Sequence, residues 1–308
     1  MANARRFSFT LILFSLTIAT FAMAQSAQPT QVSTGIFRGW KVTFQVVDGR
    51  MMTEGDIVLE HVDHKLPLQT DGGTISYLRY RWPLVGSVFQ IPYIIDPASG
   101  DVTNINSAIS TYNSIFTGQI QWVAHTTEAN YVDFNLNPSD LSGSGYSNIG
   151  MSGGEQVIGG SGTCTVSTLL HEMGHATGFW HEQSRPDRNS YVTLNLNNMV
   201  NTAYSDSAIE YDDMQALTLY DWSSVMHYFV WNFTKNGNPV LESIPPGMPL
   251  SNTVGYSTGD IDAIRRLYGF VPTEVTITTN PPGLRSSLMA RRLRRHRPTT
   301  GHFSRPTR

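Results

Sequence analysis

The sequence predicts an α+β protein, on three observations. Short runs at Trp40–Val47, Gln90–Ile95, Gln119–Ala124 and Tyr131–Asn135 have the length and the β-branched or aromatic content of strands. Residues 101–117, 165–177 and 256–269 read as helices. Between about Asn189 and the last of these the chain has few periodic segments, as an irregular subdomain would.

The helical segments each have a physical basis. In 101–117, Ile105, Ile109, Tyr112 and Phe116 recur at helical spacing and form one apolar face. In 256–269, Ser257 or Thr258 can cap, Asp260 and Asp262 sit in the first turn, Ile261, Ile264 and Leu267 share a face, and Gly269 ends the helix. The Gly- and Ser-rich stretch 138–162 argues for turns around a sheet edge.

Length and composition allow a sizeable core, with 308 residues and 40% hydrophobic content. Charge is unevenly placed. Residues 285–308 hold eight Arg and no acid, so residues 1–284 carry 13 basic against 24 acidic groups, a net charge of −11. The basic end is read as a disordered tail or the truncated end of a longer protein, and no nucleic-acid partner is expected. At the other end, Arg5 and Arg6 precede an apolar run from Phe7 to Phe21, and Ala22-Met23-Ala24 offers a small-x-small cleavage site. That pattern predicts a signal peptide, residues 1–24, and a secreted protein without a membrane span. A membrane anchor is the other reading, but spanning needs about 20 residues.

The chemistry is concentrated in HEMGHATGFWHEQSRPDR, residues 171–188. Residues four apart on a helix share a face, so His171 and His175 project side by side, about 6 Å apart, and can ligate one ion. Glu172 lies one step round, beside the open side of that ion. Gly178 can end the helix at positive φ, and the returning chain brings His181 in as a third ligand. Three neutral imidazoles favour zinc, one per chain, with a position left for water.

These residues resemble the astacin family of metzincin metallopeptidases, whose pattern is HExxHxxGFxHExxRxDRD. Phe179, Glu182, Arg185, Asp187 and Arg188 are in register, and Asn189 is the one departure. The family's Met-turn resembles SVMHY, residues 224–228. The resemblance implies an α+β metzincin, zincin-like fold: a twisted mixed sheet with an active-site helix in the upper subdomain, and an irregular lower subdomain with a C-terminal helix. It implies a secreted zinc endopeptidase made as a zymogen, monomeric, with protein or peptide substrates and an activating protease. A weakly catalytic binding or adhesion protein on the same scaffold is the alternative, but such proteins tend to lose the Glu or a His, and this chain keeps them.

The resemblance also implies roles. Glu172 is the general base and then acid, Tyr228 the stabiliser of the oxyanion, and Met226 the support beneath His171, His175 and His181. Glu182 pairs with the mature N-terminal ammonium, or is an ordinary carboxylate. TEGD, residues 53–56, resembles the proenzyme motif FxGD with Thr53 for the Phe, which makes Asp56 the inhibitory zinc ligand; a Gly-Asp turn at a strand end is the other reading. The cluster His61, Asp63, His64 and Lys65 is expected to belong to an exposed propeptide segment, with cleavage near Asp71-Gly72-Gly73. The expected division is therefore propeptide 25–72, catalytic domain 73–270 and tail 271–308. The single cysteine, Cys164, matches a family half-cystine whose usual partner falls near Gly145. It is expected to be a buried thiol, with an inhibitory thiolate on zinc as the lesser reading.

Overall fold

The structure, a computed structural model, describes residues 33–38, 40–60, 80–140, 145–199, 216–251 and 254–270. The expected signal peptide, the 61–65 cluster, the 71–73 cleavage region and the Arg-rich tail lie outside the described residues. No described helix is long and apolar enough to cross a membrane.

Before the catalytic part the chain forms an antiparallel meander of four strands: β1 (Ser33–Phe37), β2 (Trp40–Val47), β3 (Arg50–Thr53) and β4 (Ile57–Leu59). Sequence reading finds β2 and reads 53–56 as the proenzyme motif or a turn at a strand end, without strands on either side of it. The meander instead continues, because Ile57 and Leu59 are buried alongside Phe37, Val42 and Phe44 in an apolar cluster with Ile149, against which Met51 and Trp180 pack.

Next come β5 (Leu84–Val85), β6 (Val88–Ile95), α1 (Val102–Ile115), β7 (Ile120–Ala124) and β8 (Tyr131–Leu136). β6 pairs in parallel with both β7 and β8, and antiparallel with β5. Two further strands follow, β9 (Ser147–Asn148) and β10 (Glu155–Gly160), with β10 parallel to β8 at the sheet edge. The result is the expected mixed sheet. β4 joins β9 in parallel, which makes the meander and β9 one five-stranded sheet.

The predicted apolar face of α1 is buried at Ile105, Ile109 and Tyr112, and packs on α2 (Val166–Thr177). Thr165 caps α2 through its side chain, and Gly178 ends it at φ 130°. The carbonyls near that C-terminal end are taken up by side chains: Trp82 Nε1 donates to Ala176 and Tyr268 Oη to Thr177. Cys164 sits in this core, 3% exposed, where burial pushes its thiol up to about 12. It is the buried thiol of the main expectation, and the clustered metal-ligating atoms are those of Asp56, His171, His175 and His181.

The lower part holds β11 (Val192–Leu194) paired with β12 (Leu241–Ser243), and then α3 (Thr258–Leu267). Ser257 and Asp260 form a reciprocal capping box at the start of α3. Asp260 does more than cap. Its Oδ1 accepts from Ser224 Oγ at 2.6 Å and its Oδ2 from the Val225 amide at 2.9 Å, which joins α3 to the turn at 224–228. Asp260→Ala removes the cap and leaves these donors buried, so the expected cost is about 3 kcal/mol in denaturant unfolding. A loss below about 1 kcal/mol would mean that the helix and the turn are held independently.

Candidate metal and catalytic centre

Three imidazoles converge at the top of α2. His171 Nε2 lies 3.1 Å from His175 Nε2 and 3.2 Å from His181 Nε2. Their other nitrogens show what this means. His171 Nδ1 is 2.7 Å from the Val225 carbonyl and His175 Nδ1 2.6 Å from the Phe179 carbonyl. A carbonyl only accepts, so each Nδ1 carries the proton and each Nε2 a lone pair. Buried Nε2 atoms 3.1–3.2 Å apart need a cation among them, a metal ion or, where none is bound, a proton on His181. Ligand atoms of these three histidines and Asp56 all lie within 4.8 Å of one another. A nitrogen-rich set with one carboxylate suits zinc.

Asp56 comes from the loop joining β3 to β4. Its Oδ1 is 3.2 Å from His181 Nε2 and 3.8 Å from His175 Nε2, and its Oδ2 is 3.5 Å from His171 Nε2. Burial opposes ionisation of Asp56, but the surrounding histidines outweigh it and hold its carboxyl far below the usual range. His181, the one ring of the three with carboxylates at both nitrogens, is shifted the other way, to about 9, because Asp56 and Glu54 together overcome its burial. His175 falls well below its ordinary value through burial and the two neighbouring rings.

Glu172 is buried beside the cluster, with Oε2 lacking a hydrogen-bond partner among the described residues. Burial, and then the charge of Asp56, push its carboxyl well above the carboxylate range. Gly145 lies against it, since a Cβ there would meet Glu172 Oε1 at 2.5 Å. The backbone at the expected half-cystine position therefore packs directly on the Glu172 carboxylate.

The turn 224–228 lies beneath the site. Met226 Sδ would be 2.5 Å from a Cβ on Gly174, so the missing side chain in the middle of α2 is what lets the turn approach. The Met226 carbonyl accepts from the Glu182 amide and Gln183 Oε1 from the Tyr228 amide. Tyr228 packs its ring on His181, centroids 4.4 Å apart, and its hydroxyl lies 3.5 Å from where a Gly55 Cβ would be. His227 is buried and bonded to Tyr220 Oη and the Tyr228 carbonyl, away from the three Nε2 atoms.

Glu182 faces a different space. Its Oε1 accepts from Arg185 and from the Asp221 amide, and burial raises its carboxyl to about 7 against the pull of Arg185. It lines a cavity of about 140 Å³ with Asp221, Asp260, Arg81 and Arg185, to which the meander contributes Phe37, Arg38 and Val42. Arg185 and Asp187 pair at 2.8 Å, and Arg188 donates to the Gln183 carbonyl. Glu54 is the site residue that sequence reading misses. Its carboxylate is 2.6 Å from His181 Nδ1, across 127 residues of sequence, and only its position two before Asp56 hinted at it.

Comparisons with known proteins agree with this geometry. The family model for astacin peptidases matches residues 75–269. Over 250 residues the chain is 29% identical to Astacin-like metalloprotease toxin 1 of Loxosceles intermedia, covering 78% of this chain and 88% of the relative. High choriolytic enzyme 1 of Oryzias latipes is 36% identical over 186 residues, which are 58% of this chain and 65% of that one. Its solved structure superposes with a TM-score of 0.56 at 31% identity, covering 62% of this chain and 94% of the other. With zinc metalloproteinase nas-13 of Caenorhabditis elegans the chain shares 39% identity over 142 residues, and it spans 31% of that relative's length. A family match across most of the chain, over this arrangement of imidazoles and carboxylate, places the chain in the astacin family of zinc metallopeptidases, with residues 75–269 as the metalloendopeptidase domain.

Proposed function

We propose that the chain is a secreted endopeptidase precursor, kept latent by its own N-terminal meander and able to hydrolyse protein substrates once that segment is cut away. The observation that carries this reading is Asp56, whose carboxylate faces all three imidazole Nε2 atoms from a segment outside the family-matched residues. The division proposed with it is signal peptide 1–24, propeptide 25–72, catalytic domain 73–270 and tail 271–308.

His171, His175 and His181 would hold the zinc, which would supply a Lewis acid for the scissile carbonyl and acidify a water. Glu172 is placed to take a proton from the attacking water and pass it to the leaving amine. Tyr228, packed on His181, is within the site to donate its hydroxyl to the developing oxyanion once Gly55 has left. A substrate strand takes the place of β4 beside Ser147–Asn148, where backbone groups now pair with the meander. Cleavage also frees an ammonium at the new N-terminus. The cavity at Glu182, lined also by Asp221 and Asp260, offers carboxylates to receive it, and loses the Arg38 guanidinium when the meander departs.

In the processed protein, Glu172→Gln is expected to lower kcat on casein by about 10²–10⁴-fold while zinc content stays unchanged. Equal turnover by the variant would remove Glu172 from the chemistry. Casein hydrolysis is expected only after residues 25–72 are cut away, and a chelator is expected to abolish it; an uncleaved chain that already hydrolyses casein would end the latency reading. Gly174→Val is expected to push Met226 away from α2, costing about 1–3 kcal/mol and lowering zinc retention, both readable from thermal melts with and without chelator. An unchanged melt would show that the turn does not depend on that contact.

A further inference from the structure

The three ligand histidines are not supported alike. His171 and His175 are oriented by backbone carbonyls of the catalytic part, Val225 and Phe179. His181 is oriented by a carboxylate, Glu54 Oε2 at 2.6 Å, and that carboxylate belongs to the N-terminal meander. Both side chains of this pair are fully buried.

The loop that brings Glu54 there is strained for it. β3 and β4 pair up to Thr53 and Ile57, leaving Glu54, Gly55 and Asp56 as the connection. Glu54 has φ 52°, a left-handed conformation that costs a residue with a Cβ about 1–2 kcal/mol. Gly or Asn fits such a position better, and neither would bury a charge. Thr53 Oγ1 anchors the base of the loop on the Thr43 carbonyl at 2.8 Å. A buried anion in a strained conformation persists where a specific partner holds it, and the partner here is His181 Nδ1.

We infer that Glu54 is a positioning residue for the zinc site: it accepts the Nδ1 proton of His181, directs Nε2 inward as a stronger donor, and so makes the precursor hold zinc more firmly than the processed enzyme. The proposal rests on the reading of the meander as a segment lost on processing. Carboxylate acceptors behind a ligand imidazole typically change metal affinity by about 10–100-fold. Removing the segment takes away this acceptor from one histidine and leaves the carbonyl acceptors of the other two in place. Zinc is accordingly loaded onto the precursor, and the third imidazole is the one loosened at maturation.

The test uses the uncleaved full chain loaded with zinc, and follows zinc release to a chromophoric chelator. Glu54→Ala is expected to speed release about 10–100-fold, and the isosteric Glu54→Gln by a smaller factor, because its amide oxygen still accepts but carries no charge. A double-variant cycle with Asp56→Ala separates direct support of His181 from simple anchoring of the loop. If Glu54 acts on the imidazole, Glu54→Ala still accelerates release in the Asp56→Ala background. If it only holds Asp56 in place, the second change adds nothing and the inference is overturned. The imidazole Nδ1–H proton of His181 gives a second reading, a far-downfield resonance in the wild-type chain that moves upfield in Glu54→Gln; an unmoved resonance also overturns it. Should Glu54→Ala not fold, Glu54→Gln carries both measurements. Failure of latency would appear separately, as an uncleaved wild-type chain that hydrolyses casein.

Discussion

The structure depends on fixing the protons of three imidazoles. Each Nδ1 is given to an acceptor, and the three Nε2 lone pairs are thereby forced to face one another, with His171 Nε2 3.1–3.2 Å from the other two, in a site with little exposure. Without zinc a proton on His181, between Glu54 and Asp56, meets part of this need, while His171 and His175 still turn lone pairs into a site with little hydration. The fold therefore holds the rings open for a metal before one arrives, and zinc binding contributes to folding stability as well as to chemistry.

That preorganisation is distributed over elements far apart in sequence. The C-terminal end of α2 is gripped by Trp82 and Tyr268, so the helix cannot slide relative to the sheet. From below, the turn 224–228 gives His171 its acceptor, carries Met226 against Gly174, and is itself held by Asp260 at the start of α3. A displacement of α3 would thus reach the first ligand through a short chain of hydrogen bonds. This accounts for an irregular lower subdomain that still positions a metal site: few of its residues lie in regular elements, but the ones that matter are tied by buried, charge-assisted bonds.

Much of this was legible in the sequence wherever the spacing is short. His171 and His175 share a helical face, Gly178 is the residue type that lets the chain turn toward His181, and the α3 cap is a local pattern at Ser257 and Asp260. What was not legible is long-range. Nothing near Glu54 announces a partner 127 residues away, and Asp260 reads as a first-turn acid rather than the anchor of a distant turn. The strands flanking Glu54 and Asp56 were missed for a related reason. Their burial comes in part from Ile149 and Trp180 of the catalytic part, and a three-residue strand such as β4 carries too little periodicity of its own. Gly145 and Gly174 were opaque because a glycine in sequence does not say which side chain occupies the space it leaves, here those of Glu172 and Met226.

Charge ties the proposed latency to the proposed grip on the metal. Zinc brings two positive charges into a buried site of neutral imidazoles, and the β3–β4 loop brings two negative ones, Asp56 toward the ring Nε2 atoms and Glu54 behind His181. The site is then balanced, and Glu172, already pushed toward its neutral form by burial and by Asp56, is not needed as a counter-ion. Withdrawing the loop removes both anions at once. The metal is left with excess positive charge, which makes it a stronger Lewis acid and favours ionised Glu172 beside it. Under the proposed latency, the change that loosens the third imidazole is also the change that activates the site, so retention of the metal and its electrophilicity would move in opposite directions.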